Sequence, residues 1–397
     1  MSRPRALILT SRLPWPLDDG GRIAAWQNVR AASRQYDTTL VSLVPPGEKV
    51  APLPAVFEKH GVQVIRVAHE PPPGMAAAWS GLFGPWPYTL ARYRNAELPG
   101  VLRTLVSETK PSFAMVTPLH MATYADDLKS APMILRQHNL EHVWMKRYAG
   151  RLGLTPAGLY ARVQARRLRH AEIALGRSAS LVLAIQPEEA AQLSTLAPGI
   201  RVEVLPIGVD LARYPRPSPA EPPIVLLAGS FAWKPNVDGA VQFLQEGWPR
   251  VKARVPSARL RVVGKDPPRS LIRAIDGVGA EPVGYVESIV EEFARATVLV
   301  VPLWVGAGAR VKIVEAMAAR IPVAATRLAA EGLGLVAGEH YAAGDTPGAL
   351  GSQVATLLLT PALRMVFAQR GRTFAEAHWS LDAVADLQNS LCAGVAR

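Results

Sequence analysis

The chain has 397 residues, of which 49% are hydrophobic and 19% charged, a composition that excludes a disordered chain or a highly charged solvated rod. Its length allows two or three domains, each able to bury its own core. Lys and Arg number 44 against 32 Asp and Glu, so the net charge is +12. Most of the cations are Arg, which suits bidentate contacts with phosphate and carboxylate. Two explanations of the charge remain open: an anionic partner, or a compositional enrichment of Arg together with Ala, Pro and Gly.

The sole cysteine, Cys392, excludes an intrachain disulfide and a cysteine-built metal site. The apolar run within residues 1–11 is too short for a signal peptide. The longest later runs, 224–228 and 296–309, fall short of the roughly 18 to 20 residues that a membrane span requires. We therefore expect a cytoplasmic chain without an integral membrane segment.

Short β-rich runs alternate with helical patterns along nearly the whole chain, which predicts an α/β fold of parallel sheets with helices on both faces. The predicted strands are residues 5–10, 38–43, 63–67, 113–117, 133–137 and 181–185, then 224–228, 259–263, 281–283, 298–302 and 322–325. Two such sets imply two doubly wound domains, residues 1–205 and 224–370. The proline-rich residues 206–223 between them predict an exposed linker. Residues 71–94, rich in Pro, Gly and aromatics, predict a loop or short helices beside a site.

The first candidate site is Gly20-Gly21-Arg22, which follows the first strand. Ligands of open α/β sheets bind beyond the carboxyl ends of strands, and a glycine pair opening a helix lets backbone N–H groups approach a phosphate or an acceptor hydroxyl. The spacing is not Gly-x-Gly-x-x-Gly, so the fingerprint of a dinucleotide-binding dehydrogenase is absent. A glycine turn without a ligand is the alternative interpretation.

The second candidate site follows the predicted strand 133–137 and consists of His138, Asn139 and Glu141. A histidine at the carboxyl end of a strand is well placed to touch a substrate, and a near-neutral pKa would let it donate or accept a hydrogen bond. A lone histidine there is more often structural. The neighbouring amide and carboxylate favour the functional interpretation.

Two further candidate sites lie in the second half. Residues 229–236 place Ser230, Lys234 and an amide in a turn where a phosphate could meet a helix N-terminus, although a plain strand-to-helix turn is possible. Residues 306–323 form a glycine-rich loop followed by a helix that carries Arg310, Lys312 and Glu315. Loop amides and two cations can neutralise a diphosphate, and a carboxylate one turn further on can accept both hydroxyls of a ribose.

In this order and spacing, these segments resemble a retaining GT-B glycosyltransferase of family 4, the glycosyl transferases group 1. The resemblance covers nearly the whole chain. Its parts are Gly20-Gly21-Arg22, His138-Asn139 with Glu141, residues 206–210, 229–230 with 235–236, Gly264, 284–286, 310–318, and 322–326 with 331–332.

The resemblance implies a GT-B architecture, in which two Rossmann-like domains face each other across a cleft. A nucleotide sugar, linked to UDP, GDP or TDP, would bind mainly to the second domain. The acceptor, a glycan, a lipid-linked glycan or a small-molecule glycoside, would bind to the first. Residues 371–397 resemble the C-terminal helix that returns to the first domain in such proteins.

The resemblance also assigns roles to single residues. In the second domain, Arg310 and Lys312 would contact the diphosphate, which Ser230 and Lys234 would face, while Glu315 would bind the ribose and Gly284 to Val286 would contact the base. In the first domain, Gly20 and Gly21 would cover the phosphates and His138 would lie near the transferred sugar. Asn139 and Glu141 would lie on the acceptor side. Many relatives carry Glu-x7-Glu, but this chain has Ala307 in place of the first carboxylate. Orientation of the sugar would then fall to the backbone amides of this loop, which include those of Gly306, Gly308 and Ala309, or to another residue.

No enzymic nucleophile is obvious, so retention suggests front-face displacement, with the leaving diphosphate stabilised by cations and loop amides. No Asp-x-Asp signature occurs. We therefore expect transfer without a metal or another cofactor. The alternatives are a GT-B sugar-nucleotide epimerase and a degenerate GT-B binding or scaffold protein.

Residues 142–170 carry seven Lys and Arg and no Asp or Glu. One interpretation is a solvated helix face. A second is peripheral contact with an anionic membrane at its inner face, which the interleaved aromatic and leucine side chains favour. The third, nucleic-acid binding, lacks any helix-turn-helix, zinc-finger or RRM signature, so we expect no nucleic-acid partner.

Overall fold

A computed structural model describes residues 3–17, 20–215, 217–218, 220–231, 234–305 and 311–395. Contacts divide the chain into two compact units. The first unit comprises Met1–Ile207 and Val384–Arg397, and the second comprises Gly208–Ala383.

The described part of the first unit contains a seven-stranded parallel sheet. Its strands are β1 (Arg5–Thr10), β2 (Asp37–Val44), β3 (Gln63–Ala68), β4 (Phe113–Thr117), β5 (Met133–Arg136), β6 (Leu181–Ala184) and β7 (Val202–Val204). The order across the sheet is β3-β2-β1-β4-β5-β6-β7. The order reverses between β1 and β4, and at such a switch point the loops beyond the strands diverge and leave a crevice for ligands.

Helices cover both faces of this sheet. They are α1 (Gly20–Ser33), α2 (Ala55–Lys59), α3 (Gly74–Phe83), α4 (Tyr88–Ala91), α5 (Leu98–Thr109), α6 (Glu141–Leu152), α7 (Pro156–Ser178) and α8 (Pro187–Leu196), with 3-10 segments Pro46–Glu48 and Leu119–Leu128. Alternation along β1 explains the two layers: Leu7 and Leu9 join the apolar cluster that includes α5 to α8, whereas Ala6 and Ile8 join the cluster on the other face.

The second unit has a parallel sheet with the order β10-β9-β8-β11-β12-β13. These strands are β8 (Ile224–Ala228), β9 (Arg259–Val263), β10 (Glu281–Gly284), β11 (Val298–Val301), β12 (Val323–Ala325) and β13 (Ala342–Ala343). Its helices are α9 (Lys234–Gln242), a π-helical turn Phe243–Gly247, α10 (Trp248–Arg254), α11 (Arg269–Gly277), α12 (Val290–Arg295), α13 (Val311–Ala318), α14 (Arg327–Ala330), α15 (Pro347–Leu359) and α16 (Pro361–Trp379), and the 3-10 turn Leu211–Arg213 precedes β8. The switch point lies between β8 and β11.

All eleven predicted strands are present, which confirms the α/β fold. The strands that the sequence missed, β7 and β13, have three and two residues and lie at sheet edges, so neither carries a pattern long enough to recognise. Residues 71–94 form the short helices α3 and α4 with connecting turns.

The C-terminal segment is divided differently from the prediction. Residues 371–383, which the prediction placed in the returning helix, belong to the second unit, because Ala375 and Trp379 are buried in its core and the Trp379 carbonyl accepts a hydrogen bond from Val209 N at 2.6 Å. The last helix, α17 (Leu381–Ala393), begins in the second unit and belongs to the first from Val384 onward.

No single helix among the described residues is long and apolar enough to cross a membrane. The helices α15 and α16 pass that test only as a pair, and the pair is bent by 104°.

Candidate functional site

In the second unit, α13 brings Lys312 to the carboxyl end of β8. The Lys312 ammonium donates a hydrogen bond to the Ala228 carbonyl at 2.8 Å and another to Asn236 Oδ1 at 3.4 Å. The Asn236 amide in turn donates to the Ser230 carbonyl at 2.9 Å. One cation and the loop that contains Ser230 are therefore held together where β8 ends, beside the switch point.

Glu315 lies one turn further along α13, on the same face as Lys312. Its Oε1 accepts a hydrogen bond from the Tyr214 hydroxyl at 2.9 Å. Burial raises the pKa of Glu315, while the Tyr214 hydrogen bond and the charges of Arg213 and Lys312 lower it. No hydrogen bond to the other carboxylate oxygen, Oε2, is present among the described residues, so this oxygen can accept hydroxyl groups of a ligand.

Two glycines fix the neighbouring loops closely together. The Gly264 N–H donates to the Gly284 carbonyl at 2.8 Å, which joins the ends of β9 and β10. A Cβ on Gly264 would lie 1.9 Å from the Gly229 carbonyl oxygen, so only glycine permits this approach to the end of β8. Gly284 itself has a φ of +78°, in the region that favours glycine. The predicted base-binding segment and the predicted phosphate loop are thus neighbours.

The other predicted residues of the second unit have different surroundings. Lys234 is exposed at the start of α9 and pairs with Asp238 at 2.5 Å. Val286 is half-buried and packs against the core of the unit. Gly306, Gly308, Ala309 and Arg310 lie outside the described residues, as does Ala307.

In the first unit, His138 lies at the carboxyl ends of β4 and β5. Its Nε2 is hydrogen-bonded to Thr117 Oγ1, the last residue of β4, at 2.9 Å. Burial, together with the charges of Arg136, His120 and Arg12, lowers the pKa of His138 to about 3. The expectation of a near-neutral pKa was therefore wrong, but the neutral ring can still donate or accept a hydrogen bond at ordinary pH, as expected.

Several buried polar groups around His138 lack a hydrogen-bond partner within the described chain. They are the amide nitrogen and oxygen of Gln137, Nε of Arg136, Nδ1 of His120 and the amide nitrogen of Gln186. An unpartnered buried polar group costs about 1–3 kcal/mol, so each of these groups calls for a water molecule or a ligand group as its partner. Those of Gln137 and Gln186 follow β5 and β6, at the edge of the sheet where the strands have their carboxyl ends.

The remaining predicted residues of the first unit divide into two groups. Gly20 and Gly21 open α1, as predicted, and no described atom lies within 4 Å of a Cβ built on Gly20. Asn139 is exposed. Glu141 begins α6, and burial, followed by the charges of Glu172 and Glu189, raises its pKa to about 7.

The shifted pKa of Glu141 predicts a pH-dependent stability. The unfolded carboxyl loses its proton near pH 4.5 and the folded one near 7, so the folded state holds more protons between these values and loses stability as pH rises through them. We expect Glu141→Gln to raise the melting temperature by several degrees at pH 8 and by much less at pH 5, in thermal unfolding followed by circular dichroism. The exposed Glu188→Gln on α8 is the control, and equal shifts of Glu141→Gln at both pH values would contradict the burial argument.

Sequence reasoning missed three residues that these sites use: Thr117, Glu172 and Tyr214. Thr117 ends a predicted strand, and the carboxyl-end rule could have identified it. Tyr214 and Glu172 could not have been found, since they lie 101 and 31 residues from their partners Glu315 and Glu141.

Comparison with known proteins decides the class of the second unit. Residues 222–360 match the family profile described as glycosyl transferases group 1. Over these residues the chain is therefore similar to a group 1 glycosyltransferase domain. The match begins just before β8 and ends after α15, so Lys312 and Glu315 lie within it. No curated protein sequence matches the chain.

Solved structures extend the likeness from this domain to the whole chain. Sucrose-phosphate synthase from Thermosynechococcus elongatus is 17% identical, with a TM-score of 0.71 over 98% of this chain and 99% of that one. HepE from Anabaena, in complex with UDP and glucose, is 13% identical, with a TM-score of 0.67 over 98% and 100%. WaaG, a glycosyltransferase involved in lipopolysaccharide biosynthesis, is 16% identical, with a TM-score of 0.62 over 96% and 99%. The chain therefore has the GT-B fold.

The group 1 glycosyltransferase domain and these neighbours support a glycosyltransferase enzyme, as the sequence predicted. Assignment to family 4, retention of configuration and independence of metal stay predictions. No group of three or more His, Cys, Asp or Glu side chains that could hold a metal ion occurs within the described ranges.

Proposed function

We propose that the chain is a retaining glycosyltransferase that transfers a sugar from a nucleotide diphosphate donor to a hydroxyl group of an acceptor. One observation carries this proposal: α13 of the group 1 glycosyltransferase domain places a cation, Lys312, and a carboxylate, Glu315, on one face at the carboxyl end of β8. A diphosphate and a ribose, which follow each other in a nucleotide sugar, require those two groups.

The donor would be linked to UDP, GDP or TDP. HepE, which shares the fold, has been solved with UDP and with UDP-glucose, and this favours UDP as the first nucleotide to test. Lys312 neutralises the diphosphate, the free Oε2 of Glu315 accepts ribose hydroxyls, and the segment from Gly284 to Val286 meets the base. The acceptor, a glycan, a lipid-linked glycan or a small-molecule glycoside, binds to the first unit, where His138 and the Gln137 amide offer hydrogen bonds to hydroxyl groups.

The transfer proceeds by front-face displacement. The acceptor oxygen bonds to the anomeric carbon on the face from which the diphosphate departs, as the bond between that carbon and the diphosphate oxygen breaks. The acceptor proton passes to an oxygen of the leaving diphosphate. Lys312 and Arg310 stabilise the charge that develops there, and such stabilisation is often the largest catalytic contribution. Neutral His138 orients the sugar through a hydrogen bond, and no metal or other cofactor takes part.

A panel of UDP, GDP, TDP and ADP sugars tests the proposal. We expect one donor to raise the melting temperature, to be hydrolysed slowly by the protein alone, and to be consumed faster when an acceptor is added. Conversion of the donor into an isomer without an acceptor would favour an epimerase. No stabilisation by any donor would favour a binding or scaffold protein.

Tyr214 is expected to act as a positioning residue for Glu315. Tyr214→Phe removes a hydrogen bond to a buried carboxylate, so we expect the donor KM to rise about tenfold with little change in kcat. Because that hydrogen bond lowers the pKa of Glu315, the acid limb of kcat/KM should also move to higher pH. The control is Tyr341→Phe, a buried tyrosine of the same unit. A lower melting temperature with an unmoved pH profile would show a structural role only.

We further propose that the chain is cytoplasmic and contacts the inner face of an anionic membrane through residues 142–170. Trp144 and Tyr148 stack on α6 with ring centroids 5.5 Å apart, and both are about half exposed. Leu154, in the turn before α7, is 77% exposed. Exposed aromatic and aliphatic side chains beside cations suit an anionic bilayer surface. Flotation with anionic vesicles at low salt tests this contact, and absence of binding there would exclude it.

A further inference from the structure

A cavity of about 940 Å³ lies among α6, α7 and α8 of the first unit. Its charged lining side chains are Lys146, Arg147, Arg162, Arg166 and Arg169, and no carboxylate of the described residues lines it. Its volume is typical of a small-molecule site and far exceeds the need of a single inorganic ion. The sequence pattern showed only that residues 142–170 are basic. In the fold, α6 and α7 pack as a hairpin beside α8, and their cations line the same cavity.

These cations differ from those of an ordinary solvated helix face. Surface helices usually place opposite charges three or four residues apart, and like charges at that spacing destabilise the helix. On α7, Arg162, Arg166 and Arg169 follow one another at such spacings, and within the described chain none of the cavity cations forms an ion pair with a carboxylate. An anion in the cavity would remove this repulsion.

The wall of the cavity is held in place by a buried carboxylate. Glu172, which is 1% exposed, accepts hydrogen bonds from the Glu141 N–H at 2.7 Å, from the His142 N–H at 3.3 Å, and from Nδ1 of the His142 ring. The His142 ring lines the cavity. With Nδ1 engaged, Nε2 is the ring nitrogen that a ligand can contact. The site therefore combines a fixed ring with cations on flexible stems.

We propose that this cavity is a second ligand site, which binds the phosphate or diphosphate group of an anionic molecule through its Arg side chains. The planar guanidinium suits bidentate contact with phosphate, and four of the five cations are Arg. The cavity also has room for a moiety attached to the phosphate. The source of the phosphate is either a soluble phosphate ester or the headgroup of a lipid. This site does not depend on the donor site at Lys312, and the proposal stands without the proposed function.

Calorimetric titration of the full chain with inorganic pyrophosphate tests the proposal. The double variant Arg162→Gln/Arg166→Gln should bind pyrophosphate at least tenfold more weakly than the unchanged chain. Arg177→Gln, on the exposed end of the same helix and outside the cavity, should bind normally. Melting temperatures no lower than that of the unchanged chain would show that the variants fold.

Lys312→Ala separates the two phosphate sites, because pyrophosphate could also bind at the donor site. Binding that persists in Lys312→Ala and is lost in the double variant supports the cavity site, whatever the activity of the protein. Binding that is lost in Lys312→Ala and persists in the double variant overturns it, as does absence of binding by the unchanged chain at low salt.

Vesicles then distinguish the source of the phosphate. The unchanged chain, the double variant and Arg177→Gln are floated with phosphatidylcholine vesicles, with and without phosphatidic acid. Flotation that needs phosphatidic acid and is lost only in the double variant assigns the site to a lipid headgroup. Equal flotation of all three, together with pyrophosphate binding that depends on the cavity, assigns it to a soluble phosphate ester.

Discussion

Lys312→Ala is expected to lower kcat for sugar transfer about 100- to 1000-fold at saturating donor. Removal of one preorganised group that stabilises transition-state charge typically costs about 3–4 kcal/mol. Lys312 is preorganised in this sense, since the Ala228 carbonyl and Asn236 hold its ammonium at the end of β8. Initial rates with the donor identified in the panel measure the effect. Lys312→Arg, which keeps the charge on a bulkier group, should recover only part of the loss.

The control for this variant is Lys252→Ala. Lys252 lies in the same unit, and its ammonium likewise donates two hydrogen bonds, to the carbonyls of Pro256 and Ala258. Loss of such bonds alone would affect both variants in a similar way. Full kcat in Lys312→Ala would show that a residue other than Lys312 contacts the diphosphate.

Glu315→Ala is expected to raise the donor KM about 100-fold or to abolish turnover. A hydrogen bond to a charged group contributes about 1.5–3 kcal/mol, and a ribose would offer two hydroxyls to this carboxylate. A loss of about 3 kcal/mol corresponds to roughly a 100-fold change in affinity. Titration with the free nucleotide diphosphate should show the same weakening, because the lost contact is to the ribose and not to the transferred sugar.

Two further variants make the Glu315 result specific. Glu315→Gln keeps the volume of the side chain and an oxygen for the Tyr214 hydroxyl, so a raised KM there reflects the lost charge rather than a disturbed core. Glu291→Ala removes an exposed carboxylate of α12 and should leave the KM unchanged. If Glu315→Ala binds the donor normally, the ribose contact lies in another part of the chain.

The fold followed from the sequence to a large extent because its strands are buried on both faces. Runs such as Ile224–Ala228, with every residue buried, are continuous and apolar, and the prolines and glycines between them mark their ends. The positions of His138, Lys312 and Glu315 could also be predicted, because residues that follow strands of a parallel sheet collect at one edge of it.

The contacts that tune these residues could not be predicted. The pKa of His138 depends on burial and on the charges of Arg136, His120 and Arg12, whereas the short sequence around it suggested a near-neutral value. The Tyr214 hydroxyl reaches Glu315 from a proline-rich segment that the sequence marked only as a linker. The basic cavity likewise depends on the packing of α8 against α6 and α7, and no local sequence pattern predicts this packing.

The course of α17 has a consequence for synthesis of the protein. Its final turns complete the first unit: the Gln388 and Asn389 side chains donate hydrogen bonds to the Asn28 and Ala31 carbonyls of α1, at 2.9 Å each, and Val384 and Cys392 join the apolar cluster on that face of the sheet. The ribosome synthesises these residues only after the entire second unit. Domains generally fold in the order in which they are made, but here the first unit can be completed only after the whole second unit has been synthesised, and until then one apolar face of its sheet lacks the helix that covers it.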